Sequence, residues 1–90
     1  MDARIEQKRQ EIDRINHSIL ELLNKRTQIV KQIAEIKDEI EMEYFDPERE
    51  TEMIKKIISD NDGPLHDALI KEIFISIHNA SLQFLGTADK

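Results

Sequence analysis

Isoleucine recurs every seven residues at positions 5, 12, 19, 33 and 40, and a second row (Ile15, Leu22, Ile29, Ile36) follows three residues behind members of the first. No Pro or Gly interrupts the chain from Met1 to Phe45, where Glu, Lys, Gln, Ile and Leu dominate. Such an a/d stripe predicts one helix over about residues 3–42, on the order of 60 Å long. It should end in EMEYFDPE, because the residue before a proline is biased out of helical geometry.

Asp46-Pro47-Glu48 then reads as a helix start, with Asp as N-cap, Pro at the first helical position and Glu at the positive dipole end. Met53, Ile54, Ile57 and Ile58 give this second helix a short apolar face. It should stop near Ser59, ahead of the turn chemistry of Asn61-Asp62-Gly63-Pro64. A third helix is expected from about Leu65 to Phe84, with Leu69, Ile73, Ile77 and Phe84 facing inward and Gly86 closing it. The fold class is all-α: one long N-terminal helix and two shorter ones, in one domain over residues 1–90.

The lengths bear on assembly. Helices of roughly 20 and 30 Å cover only part of a 60 Å partner. Leaving part of nine Ile/Leu side chains in water costs several kcal/mol at roughly 25 cal/mol per Å². A 90-residue chain with no cysteine has no disulfide to offset that. A second copy is the expected cover, giving an intertwined homodimer.

Composition narrows the function. The net charge of −6 and the 4% aromatic content argue against a nucleic-acid binder, which needs a basic face or stacking platforms. The first residues carry no signal-peptide core, and no run approaches the roughly 18 apolar residues of a membrane span. A water-soluble, cytoplasmic protein is expected. Thiol chemistry is ruled out, and no metal-like spacing or cofactor motif is evident, so no metal and no cofactor are expected.

The cations are informative. Arg26 stands on the a row between Ile19 and Ile33, while Arg9 and Lys37 fall on the adjacent row shared with Leu23 and Val30. Flanking-row cations often lie along an apolar seam with their heads in water, which is the plain reading of Arg9 and Lys37. A charge on the core row is costly unless it is paired or bound, so Arg26 is either a structural ion pair or a ligand contact. Arg26 and Lys37 share a face about 16 Å apart along the axis, within reach of one small molecule. Arg9 lies roughly 25 Å from Arg26, but in an antiparallel dimer the partner's Arg9 closes the same pocket. Arg49, on the first turn of helix two, adds a fourth cation. Arginine pairs bidentately with carboxylates, so the set suits a small dicarboxylate.

These residues at these spacings resemble the all-α class of chorismate mutases from about Arg9 to Leu85. The likeness is strongest over RQEIDRINHSILELLNKR, the Lys37 to DPERE stretch, and IKEIFISIHNASL. The order FDPERE, NDGP, IKEIF, ASL is especially similar to mutase domains fused to the heptulosonate-phosphate synthase that opens the shikimate pathway. No synthase segment is present, so the chain is expected to be free-standing or an excised domain, with such a synthase as a candidate partner. The resemblance implies rearrangement of chorismate to prephenate in phenylalanine and tyrosine biosynthesis. Arg26 and the partner's Arg9 would hold the carboxylates, with Arg49 and Ser81. Lys37 would donate to the ether oxygen, and Glu50 and Asp46 would hold the ring hydroxyl. Catalysis would come from holding the compact conformer and stabilising charge on that oxygen.

One departure matters. The family places Gln four residues after the helix-three serine, and an ungapped alignment puts Leu85 there. Gln83 is two residues away, about 200° around the helix. Pairing Asn79 with Gln83 restores the spacing but puts Glu72 where an apolar residue belongs, so the ungapped reading is preferred. Losing such a donor costs on the order of 10²–10³ in rate. Activity is therefore weak, or an irregular end to helix three presents Gln83. A regulatory chorismate- or prephenate-binding domain, an isochorismate pyruvate lyase and a ligand-free dimerisation module are the alternatives. His17 should be exposed. His78 reads as a partly buried packing histidine, or else as a substrate contact or pH modulator. Met42, Tyr44 and Met53 read as packing residues.

Overall fold

The computed structural model describes residues 2–86, and these form three helices with no strand among them. Helix α1 spans Ala3–Glu39, α2 Pro47–Asp60 and α3 Asp67–Phe84. The Asp2 carboxylate caps α1, accepting from the Arg4 amide at 2.8 Å, and its ion pair with the Arg4 guanidinium holds its pKa below the usual carboxylate value. Asp46 caps α2 as its sequence predicts, accepting from the Arg49 amide at 3.1 Å with Pro47 directly behind it. In the NDGP turn the Asn61 side chain accepts from the Gly63 amide at 3.1 Å and donates to the Leu65 carbonyl at 2.8 Å. That turn delays α3 to Asp67, two residues beyond the expected Leu65. Gly86 closes α3 at φ +79°, as expected of the residue with no Cβ to clash there.

α1 stops three residues earlier than its heptads suggest. The amide of Met42 bonds the Lys37 carbonyl at 2.7 Å and that of Glu41 bonds the Asp38 carbonyl at 3.3 Å, the paired bonds of a Schellman cap. Glu41 supplies the left-handed residue, at φ 57°, where glycine would be usual. The cap turns the chain back, so that residues 44–46 return beside Lys37.

α3 packs against both α1 and α2, whereas α1 and α2 do not pack on each other. The molecule is long: 57 × 24 × 22 Å, with a radius of gyration of 16.6 Å against about 12 Å for a compact chain of this length. Only Ala34, Ile54 and Ser81 are buried among the described residues. All nine stripe residues, from Ile5 to Ile40, are 48–63% exposed. On α3 the side toward the other helices carries Ile77 and Ser81, with Ile70 and Phe74 beside them, while Leu69, Ile73 and Phe84 stay about half exposed. The expected inward face of α3 is thus rotated, because one copy of α1 and α2 covers only one side of it.

Candidate active site

Because α3 holds α1 and α2 apart, a cleft of about 140 Å³ opens where the three meet. Val30, Ile33, Ala34, Leu82 and Leu85 make its walls apolar. Into it come Arg26 and Lys37 from α1, Asp46 and Arg49 from the start of α2, and Ser81 from α3. Residues scattered over 55 positions of sequence therefore share one small volume.

Each polar group is placed by a local device. Arg26 is half-buried and its Nη1 donates to Ser81 Oγ at 2.6 Å, while that hydroxyl donates on to the Ile77 carbonyl at 3.2 Å. No carboxylate pairs with Arg26 among the described residues, so the structural ion pair allowed by its sequence position is not present there. Desolvation, and then the charge of Arg49, lower its pKa from the ordinary guanidinium value. A cation disfavoured by burial and by a second cation is a site that an anion would relieve. Lys37 Nζ donates to the Tyr44 carbonyl at 3.4 Å, a contact made by the chain reversal at Glu41.

Glu50 stands behind the cleft wall. Its Oε2 lies 3.5 Å from Nε2 of His78, both side chains are mostly covered, and His78 lines the cleft. Arg9 lies on the far part of α1, outside the cleft of its own chain. Gln83 is exposed and does not line the cleft, whereas Leu85 does. The end of α3 is helical through Phe84, so it offers no irregularity that would turn Gln83 inward.

Two further residues line the cleft: Tyr44, read from the sequence as a packing residue, and His78, for which a substrate contact or pH modulator is also left open. Tyr44 lines the cleft, lends Lys37 its carbonyl and donates its hydroxyl to Asp38 at 2.6 Å. The sequence carries no sign of this, because the left-handed turn is formed by a glutamate. His78 pairs across helices, and its position one turn before Ser81 is the only hint. Among the described residues no cluster of three His, Cys, Asp or Glu side chains is placed to hold a metal ion, and no helix is long and apolar enough to cross a membrane.

Three helices, an uncovered apolar stripe and an apolar-walled cleft that holds Arg26, Lys37 and Arg49 beside Asp46 define an all-helical domain of one long and two short helices. Residues 8–85 match the family model described as chorismate mutase type II. The chain belongs to the type II chorismate mutase family. It is 34% identical over 79 residues to a chorismate mutase of Methanocaldococcus jannaschii, covering 83% of this chain and 79% of that protein. It is 39% identical over 70 residues to a bifunctional chorismate mutase/prephenate dehydratase of Aquifex aeolicus. That match takes in 78% of this chain but only 19% of the relative's length. The fold agrees closely with chorismate mutase from Thermus thermophilus: TM-score 0.86 for form I, at 39% identity over 88% of this chain and 99% of that one. For form II the TM-score is 0.87, at 39% identity over 89% and 91%.

Proposed function

We propose that this chain is a chorismate mutase acting as a homodimer, each cleft completed by the partner's Arg9. The observation that carries the reading is Arg26: half-buried, facing a second guanidinium, and answered among the described residues by a neutral hydroxyl with no carboxylate. Arg26, Arg49 and Ser81 bind the carboxylates of chorismate, and the partner's Arg9 closes over them. Lys37 donates to the ether oxygen as its bond to carbon breaks and negative charge grows there. Asp46 serves the ring hydroxyl from the cleft wall, and Glu50 joins it there only if the ligand displaces His78 from its carboxylate. The rearrangement is unimolecular, so the residues hold the compact conformer and supply charge; none acts as a nucleophile.

The dimer is supported by the half-exposed Ile/Leu stripe and by the matching exposed row on α3. We place the reaction in the cytoplasm, in phenylalanine and tyrosine synthesis, with the mutase domain comprising residues 1–90. The test is direct: purified chain should consume chorismate and yield prephenate above the spontaneous rate, and Lys37→Ala should abolish this. No turnover by the wild type sinks the reading.

Leu85 favours a second reading. An apolar side chain in that wall leaves Lys37 without an amide beside it, as suits a domain that senses chorismate or prephenate for a heptulosonate-phosphate synthase with slow turnover. Micromolar product binding without isomerisation supports it. Assaying isochorismate in parallel separates both from a pyruvate lyase.

A further inference from the structure

Lys37 is the group on which the proposed chemistry turns, and the chain fastens it at both ends. Its carbonyl accepts from the Met42 amide at 2.7 Å, and its Nζ donates to the Tyr44 carbonyl at 3.4 Å. The second bond is longer than the usual N–H···O, so it aims the ammonium while leaving two further protons for a ligand.

The Tyr44 carbonyl aims nothing unless it is itself held. Residues 43–45 make no backbone–backbone hydrogen bond among the described residues. Glu43 and Phe45 are exposed, and Tyr44 is half-buried. The stretch hangs between the left-handed turn at Glu41 and the Asp46 cap of α2. Its middle is fixed by the Tyr44 hydroxyl, which donates to the Asp38 carboxylate at 2.6 Å, a short charge-assisted bond. Asp38 follows Lys37 on the last turn of α1, so the anchor and the lysine stand on one rigid element.

We propose that Tyr44 is a positioning residue: its hydroxyl, clasped to Asp38, fixes the Tyr44 carbonyl and through it sets the direction of the Lys37 ammonium in the cleft. The inference rests on the reading of Lys37 as the donor to the ether oxygen. A preorganised donor needs no reorganisation as charge develops, whereas a misplacement of about 1 Å costs about a hundredfold in rate. Tyr44→Phe keeps the ring in the cleft wall and keeps the carbonyl, removing the clasp alone. Asp38→Ala removes the clasp from its other side.

Two measurements on the full chain test it. Tyr44→Phe and Asp38→Ala should each lower kcat about ten- to a hundredfold, with KM held within about twofold. The double variant should be no slower than either single one, because both remove the same bond. Asp38→Asn, whose amide oxygen still accepts, should keep most of the rate. Circular dichroism confirms that the variants keep their helices. A wild-type kcat in Tyr44→Phe, or a loss confined to KM, overturns the positioning role, and additive losses in the double variant overturn the clasp. Independently of turnover, NMR relaxation of the Lys37 Cε–Nζ group, identified through Lys37→Arg, should show a more mobile side chain in Tyr44→Phe than in the wild type. No turnover by the wild type overturns the mutase reading. The mobility of Lys37 then decides the inference alone, and an ammonium as ordered in Tyr44→Phe as in the wild type overturns it.

Discussion

Arg26 stands in a trade between stability and use. Its row is otherwise isoleucine, and its charge is opposed by burial and by Arg49. Arg26→Leu should raise stability by about 1 kcal/mol in denaturant melts, since replacing a half-buried, uncompensated charge with an apolar residue is commonly favourable. The same change should cut kcat/KM for chorismate by about 10²–10³-fold or more, the usual cost of one charge-stabilising donor. A stability gain with activity retained would make Arg26 an ordinary seam residue. Tyr44 offers a cleaner probe, being the sole tyrosine in a chain without tryptophan. Its hydroxyl donates to Asp38, and that bond, then burial and the carboxylate's charge, raise its pKa above 10.0. A folded pKa above the unfolded one means the bond's stabilisation is complete below about pH 10 and fades as pH climbs through the raised value. Ultraviolet titration of the phenolate should give a midpoint above about 10, falling toward that value in Asp38→Asn.

Element boundaries follow cap chemistry, and they are legible only where the usual residues carry it. Asp46-Pro47 and NDGP announce their turns because Asp, Pro, Asn and Gly each have a local reason to be there. The end of α1 is opaque because Glu41 occupies a left-handed position with no sequence mark of its own. Glu41→Gly should relieve about 1 kcal/mol of that strain and raise the melting temperature by a few degrees. His66 is the N-cap of α3 and makes no side-chain cap bond, so His66→Asp should add about 0.5–1 kcal/mol. The cation set on α1 is readable from heptad phase alone, since spacing along a helix fixes which face a side chain takes. The Glu50–His78 pair is not, because nothing local relates two side chains 28 positions apart. The inward face of α3 is misread for a related reason: periodicity marks an apolar row without saying which neighbour covers it.

For the whole molecule, the prediction concerns two chains. If each cleft borrows Arg9 from its partner, Arg9→Ala and Arg26→Ala are each inactive, yet refolding them together should restore about a quarter of wild-type activity. Half the dimers are then mixed, and each mixed dimer carries one intact site. No recovery after mixing would place Arg9 outside the chemistry. α1 thus has a second duty beyond offering a surface to its twin. Ala3–Glu39 runs without a break, so it acts as a ruler between the two ends it serves. One residue inserted between Arg9 and Arg26 would swing everything upstream by about 100°. A whole heptad would restore the direction but lengthen the reach by about 10 Å. Evolution can therefore rewrite the letters along this stretch far more freely than it can change their number.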